Sequence, residues 1–184
     1  MRFSAGVIGV LALFTFADPI GAQVFRDRFV TAVVGLSSSR GGNFQERDTY
    51  SADLLVGARV DASAHKSWIV SAVAGGAFRN GSSLTCTFRV PGGPCAPLMP
   101  SVGYSGASAG IELGSRVATL MLLAGPALAV TTEQATLALA ARVDLSVFVV
   151  KRAALVISAR NLTIPSLMGM HTNVYGISAG VRLR

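Results

Sequence analysis

From Gln23 to Arg184 apolar and polar residues alternate in stretches of about ten, and clusters of Gly, Pro, Ser, Asn and Asp separate the stretches. A period of two is that of a strand with unlike faces. The pattern predicts strands near 29–37, 50–61, 68–79, 102–113, 117–130, from about Thr136, 154–162 and 173–184. In the last of these, Tyr175, Ile177, Ala179, Val181 and Leu183 share one face. Val174, Gly176, Ser178, Gly180, Arg182 and Arg184 share the other. A slip of one residue would turn both arginines outward, at about 2–4 kcal/mol each if the surroundings are lipid, so the register is well specified.

The polar face repeatedly carries small residues and then a charge near one end: Arg59 and Asp61, Glu112, Arg142 and Asp144, Arg160, Arg182. Ala-Arg-Val-Asp occurs at 58–61 and again at 141–144, at the same phase of the alternation. In a narrow barrel side chains fill the interior. Charges of both signs there are expected to pair as a network, because an unpaired buried charge is costly. Glycines on the same face leave room for the long arginines.

The predicted connections run long at 38–49, short at 62–67, very long at 80–101 and tight at Gly114-Ser115. The next is short, at 131–134. A reversal follows around 146–152, unless the sixth strand reaches Lys151, and a last loop covers 163–172. Long and short connections on opposite ends are the habit of membrane barrels, with 131–134 as an exception. The fold class expected is all-β: a closed, antiparallel, up-and-down transmembrane β-barrel of about eight strands.

Composition sharpens this reading. Of 184 residues, 51% are hydrophobic and only 14% charged, where soluble domains have about a quarter charged. Lysine occurs only as Lys66 and Lys151. A surface largely in lipid fits; a soluble enzyme fits poorly. The net charge of +7 comes almost wholly from single, scattered arginines. Without a basic run or interleaved aromatics, no nucleic acid is expected as a partner. The phosphates of outer-membrane lipid and lipopolysaccharide are the better match.

Residues 1–22 read as a cleaved signal peptide. Met1-Arg2 precedes an apolar run over 5–17, then Asp18-Pro19-Ile20-Gly21-Ala22 supplies a breaker and a small residue for cleavage. Cleavage after Ala22, or else after Ala17, leaves 23–184 as one barrel domain. The apolar run is shorter than the roughly 20 residues of a membrane helix; a buried N-terminal helix is the alternative. Export places Cys86 and Cys95 in an oxidising compartment, where an even pair at this spacing is expected to form a disulfide. Closing that loop would remove about 2.5–3 kcal/mol of unfolded-state entropy.

Two other architectures compete. The stretch 117–132 holds 16 uncharged residues but contains Pro126, and the next carries Arg142 with Asp144. Such charges cost about 2.5–3.5 kcal/mol each at the centre of a membrane helix. A soluble lipid-carrying barrel shares the strand pattern.

The signal peptide, the alternating segments and the glycine-rich last strand together resemble the small bacterial outer-membrane barrels of the outer-membrane protein A and X type. The resemblance spans Gln23 to Arg184 and is one of pattern, so it implies fold more than function. It implies insertion from the periplasm by the barrel-assembly machinery of a Gram-negative-type bacterium, with both termini periplasmic. Members of the family end on an aromatic residue. This chain ends Arg182-Leu183-Arg184, so a variant signal, or one further residue in phase with Leu183, is expected. Trp68, Phe78, Tyr104 and Tyr175 are the candidates for membrane-interface aromatics.

No catalytic constellation is evident. His171-Thr172-Asn173 is the nearest echo of the His-x-Ser of outer-membrane lipid A deacylases, but neighbours on a strand point to opposite faces. His65 falls in a short turn. Asp53, Asp61, Glu112 and Asp144 would make a metal site only if they converged; arginines at comparable positions favour salt bridges. No metal or cofactor is therefore expected. The expected function is structural, adhesive or surface-interacting, through external loops, with 80–101 the candidate contact for an extracellular ligand. A narrow porin-like channel for small solutes is the alternative, and a lipid-acting enzyme a more remote one.

Overall fold

The computed structural model describes residues 26–40, 49–62, 66–78, 101–115, 117–132, 134–167 and 170–184. The expected signal peptide, His65 and the Cys86–Cys95 pair lie outside these residues. Eight strands follow in order: β1 (Arg26–Arg40), β2 (Thr49–Ala62), β3 (Lys66–Phe78), β4 (Val102–Gly114), β5 (Ala118–Val130), β6 (Ala135–Val150), β7 (Ala153–Leu167) and β8 (Met170–Leu183). Each pairs antiparallel with the next, and β8 closes on β1, with Val30 opposite Leu183 and Arg40 opposite Asn173. The result is a closed barrel with no free edge. Strands of 13 to 16 residues exceed the roughly 9–11 that cross a bilayer.

The alternation sorts side chains as the sequence predicts. On β8, Tyr175, Ile177, Val181 and Leu183 are exposed on the outside, while Val174, Ser178 and Arg182 are buried inside. On β5, Leu120, Leu122 and Leu128 point out, and Met121, Leu123 and Ala127 point in. The start of β1 and the end of β8 sit at one end of the barrel, here the terminal end. The end of β1, the start of β2, the end of β3 and the start of β4 sit at the other, the loop end.

Local chemistry explains the turns. Gly114 ends β4 with φ +139°, a conformation that favours glycine, and Ser115 N–H then bonds the Ala118 carbonyl at 2.8 Å. Asp27 has φ 51° beside a register shift between Arg26 and Arg28, a bulge that aspartate tolerates.

Of the two readings of the sixth reversal, the longer strand holds: β6 runs to Val150 through the apolar run Val147–Val150, and the turn is Lys151-Arg152. One predicted boundary is corrected. The loop expected at 163–172 is mostly strand. Pro165 breaks pairing only locally, at a register shift between Ile164 and Leu167, and Leu167 then pairs with Met170. A proline is tolerated at such a bulge.

Candidate functional site

The interior has two unlike halves. Towards the loop end it is packed with Val102, Leu162, Ile164, Leu167 and Val174, with Ala127, Ala129 and Ala138 facing them from β5 and β6. Buried Ser37, Ser39, Ser51 and Thr172 lie among them, and Phe29, Ile69 and Met121 extend the apolar packing (the plug) to the terminal end. Towards the terminal end the inner face carries charge, as the sequence phase requires.

Those charges form one continuous ladder. Asp27 meets Arg59 at 3.2 Å, and Arg59 grips Glu112 through Nε at 2.6 Å and Nη2 at 2.5 Å. Glu112 also faces Arg182 at 3.5 Å and Arg184 at 3.0 Å. Arg182 donates from Nη2 to Asp144 at 3.0 Å, and Asp144 accepts from Arg142 Nε at 2.6 Å. Arg142 lies 3.8 Å from Asp53, which ion-pairs with Arg160. Signs alternate along the whole path, and its core is almost entirely removed from solvent, with Asp144 0% and Arg182 1% exposed. Burying ions costs several kcal/mol each, which the ion pairs offset in part; Arg142 Nη1 and Nη2, Arg160 Nε, Arg182 Nη1 and Asp53 Oδ2 make no hydrogen bond within the protein.

Aromatic rings line the ladder. Tyr104 donates its hydroxyl proton to Asp53 at 2.9 Å and accepts from Arg160 Nη1 at 3.0 Å. The Arg182 guanidinium lies 5.0 Å from the Phe29 ring centre, and that of Arg184 lies 3.9 Å from the ring centre of Phe148. Gly176 makes room for Arg160: a Cβ there would stand 3.3 Å from its guanidinium nitrogens.

The structure thus brings together Arg59, Glu112, Arg142, Asp144, Arg160 and Arg182. Asp61 lies on β2, but its side chain is outside the described set. The expected network did not include Asp53, Asp27 or Arg184, although Asp53 was read as a salt-bridging carboxylate and Arg184 as sharing the face of Arg182. Tyr104 is a correction. Expected at the membrane interface, it is 6% exposed and turned inward, because its hydroxyl completes the Asp53–Arg160 pair. Trp68 (with Lys66 Nζ 5.1 Å from its ring centre) and Phe78 are exposed on the outer face near the ends of β3, whereas Tyr175 is exposed well inside β8, two residues from its middle. Tyr50, opposite Phe78, joins them.

His171 is exposed while Thr172 is fully buried, so the pair does face opposite ways. Among the described residues, no group of three or more His, Cys, Asp or Glu side chains converges as a metal centre would require. Asp53, Glu112 and Asp144 each face arginine instead.

Inward charge, an outward apolar surface and closure over eight strands define a fold: that of the small outer-membrane barrels. The solved structure of Neisserial surface protein A is similar at TM-score 0.59 and 15% identity, over 85% of this chain and 96% of that one. The attachment invasion locus protein Ail of Yersinia pestis is similar at TM-score 0.49 and 13% identity, over 86% and 100% of the two chains. The N-terminal barrel domain of Pseudomonas aeruginosa OprF gives TM-score 0.42 and 10% identity, over 83% and 97%. No protein-family model matches the chain, and no curated protein matches it in sequence.

Proposed function

We propose that this protein is an integral outer-membrane barrel with a sealed lumen, acting as a structural or surface-interaction element through the connections at its loop end. The inversion of polarity carries the reading. Ile177 is 70% exposed and Leu137 73% exposed on the outer wall, while Asp144 and Arg182 are buried within. Such a surface is stable only in an apolar solvent. Among the described residues no helix is long and apolar enough to cross a membrane. The likeness in fold to a surface protein, Neisserial surface protein A, agrees.

In this reading the outer wall contacts outer-membrane lipid and lipopolysaccharide, the assembly machinery inserts the chain from the periplasm, and the 80–101 connection is the surface on offer to an extracellular ligand. The apolar plug together with the paired ladder argues against a channel.

The test is fractionation followed by a denaturing gel of boiled and unboiled outer membranes, with conductance recorded in planar bilayers. A heat-dependent shift in mobility without conductance is expected. A soluble periplasmic or inner-membrane protein without the shift would overturn the placement. Steady ion-selective steps would replace the sealed lumen with a pore. Deleting 80–101 should leave assembly intact and remove ligand contact; loss of assembly would count against a binding role for that segment.

A further inference from the structure

The outer wall changes character on β7, β8 and β1 towards the loop end. There the cross-strand register assembles two adjoining rows of the outward phase: Asn161, Tyr175 and Ser38 in one, Thr163, Asn173 and Arg40 in the next. Every one of the six carries a polar group. Their neighbours on β6 do not. Asn161 stands opposite Ala141 and Thr163 opposite Leu139, and Leu139, like Leu137, is more than half exposed. Towards the terminal end the same three strands are apolar, with Ile157, Ile177 and Leu36 all more than half exposed.

The polar groups are linked but not all satisfied. Asn161 Nδ2 donates to Thr163 Oγ1 at 3.3 Å, and Thr163 donates on to Asn173 Oδ1 at 2.8 Å. Asn161 Oδ1 is left enclosed, with no hydrogen-bond partner in the protein. Hydrocarbon supplies no partner either, so beside an apolar wall such a patch calls for a polar occupant. An acceptor, amide and hydroxyl donors, the exposed ring of Tyr175 and the cation of Arg40 together match a polyhydroxylated ring bearing a phosphate. Hydroxyls meet the amides, the sugar face packs on tyrosine, and arginine takes the phosphate. A phosphate diester alone presents acceptors only and would leave Asn161 Oδ1 unmet.

We infer that this panel of β7, β8 and β1 binds the headgroup of a phosphorylated, acylated saccharide lipid in the leaflet at the loop end. The inference rests on the outer-membrane reading and gives its glycolipid contact a defined place. The sugar lies against Asn161, Asn173 and Tyr175, the phosphate at Arg40, and the acyl chains run down over Ile157, Ile177 and Leu36.

The experiment folds the full protein into three kinds of vesicle: phosphatidylcholine alone, phosphatidylcholine with phosphatidylglycerol, and phosphatidylcholine with the bisphosphorylated diglucosamine lipid of lipopolysaccharide. The heat-modification midpoint should rise by about 5 °C with the glycolipid over phosphatidylcholine alone, the size expected of a ligand present well above its dissociation constant. Phosphatidylglycerol should raise it clearly less. Asn161→Leu combined with Asn173→Leu exchanges polar for apolar on the lipid side and leaves the inward ladder intact. It should fold in all three vesicles and lose the glycolipid's advantage. Arg40→Gln should reduce that advantage, and Leu137→Ala, on the neighbouring apolar wall, should keep it. A chain that folds in every vesicle with no glycolipid effect, or with an equal effect of phosphatidylglycerol, would overturn the site and leave the barrel standing. A chain that folds in none would overturn the barrel reading and the site with it.

Discussion

Arg182 on β8 reaches past β7 to Asp144 on β6, its Nη2 donating to Oδ2 at 3.0 Å, with both side chains wholly enclosed. Asp144→Asn would leave Arg182 and Arg142 each short of a counter-charge. The expected cost is about 3–5 kcal/mol, seen as a lower unfolding midpoint in detergent. Pairing it with Arg182→Met should cost clearly less than the two single changes added together, because one strands what the other removes. Strict additivity would mean that the two residues do not act as a pair.

Glu112 gathers Arg59, Arg182 and Arg184. Glu112→Gln should therefore lower barrel stability by about 3–5 kcal/mol, the range for breaking a buried ion pair. Planar-bilayer recordings should stay silent, since the apolar plug is untouched. Current in the variant would show that the ladder, and not the plug, is the barrier.

Tyr104→Phe keeps the ring and removes only the hydroxyl shared by Asp53 and Arg160. A loss of about 1–3 kcal/mol is expected, as for a buried hydrogen-bonding group deprived of its partner. Chemical denaturation followed by tryptophan emission measures it. A change near zero would make the hydroxyl a bystander.

Ile177 stands halfway along β8 on the outer wall, and His171 is exposed near its loop end. Ile177→Arg should impair insertion by about 2–4 kcal/mol, whereas His171→Arg should cost about 0–1 kcal/mol, following the depth dependence of charge in lipid. Folding yields into lipid vesicles compare the two directly. Equal yields would argue against a bilayer around the β8 wall.

Trp68 is the single tryptophan and is 53% exposed two residues into β3, at the terminal end. Its emission in vesicles should be quenched strongly by lipids brominated near the headgroup and weakly by those brominated near the chain end. The reverse ranking would move the membrane boundary along the barrel.

The number of strands, their facing and the inward ladder were legible because a period of two leaves no freedom about which side a residue takes. Asp53 and Tyr104 were readable in phase but not in partnership. Asp53 meets Arg160 across more than a hundred residues of chain, a distance closed only by barrel geometry. The length of β7 was hidden by Pro165, whose usual meaning as a breaker is overridden where Leu167 fits a buried position inside. The plug was harder still. Leu162 and Ile164 straddle the boundary of a predicted loop, and alanines signal neither core nor lumen by themselves.

The pairing of Val30 with Leu183 has a consequence in time. β1 is synthesised first, yet half of its backbone hydrogen bonds await the last strand to be made. Through that interval it exposes an alternating, strand-ready edge of the kind that templates aggregation. Closure of so distant a contact is intrinsically slow. Until β8 is in place, β1 is therefore satisfied on the β2 side alone.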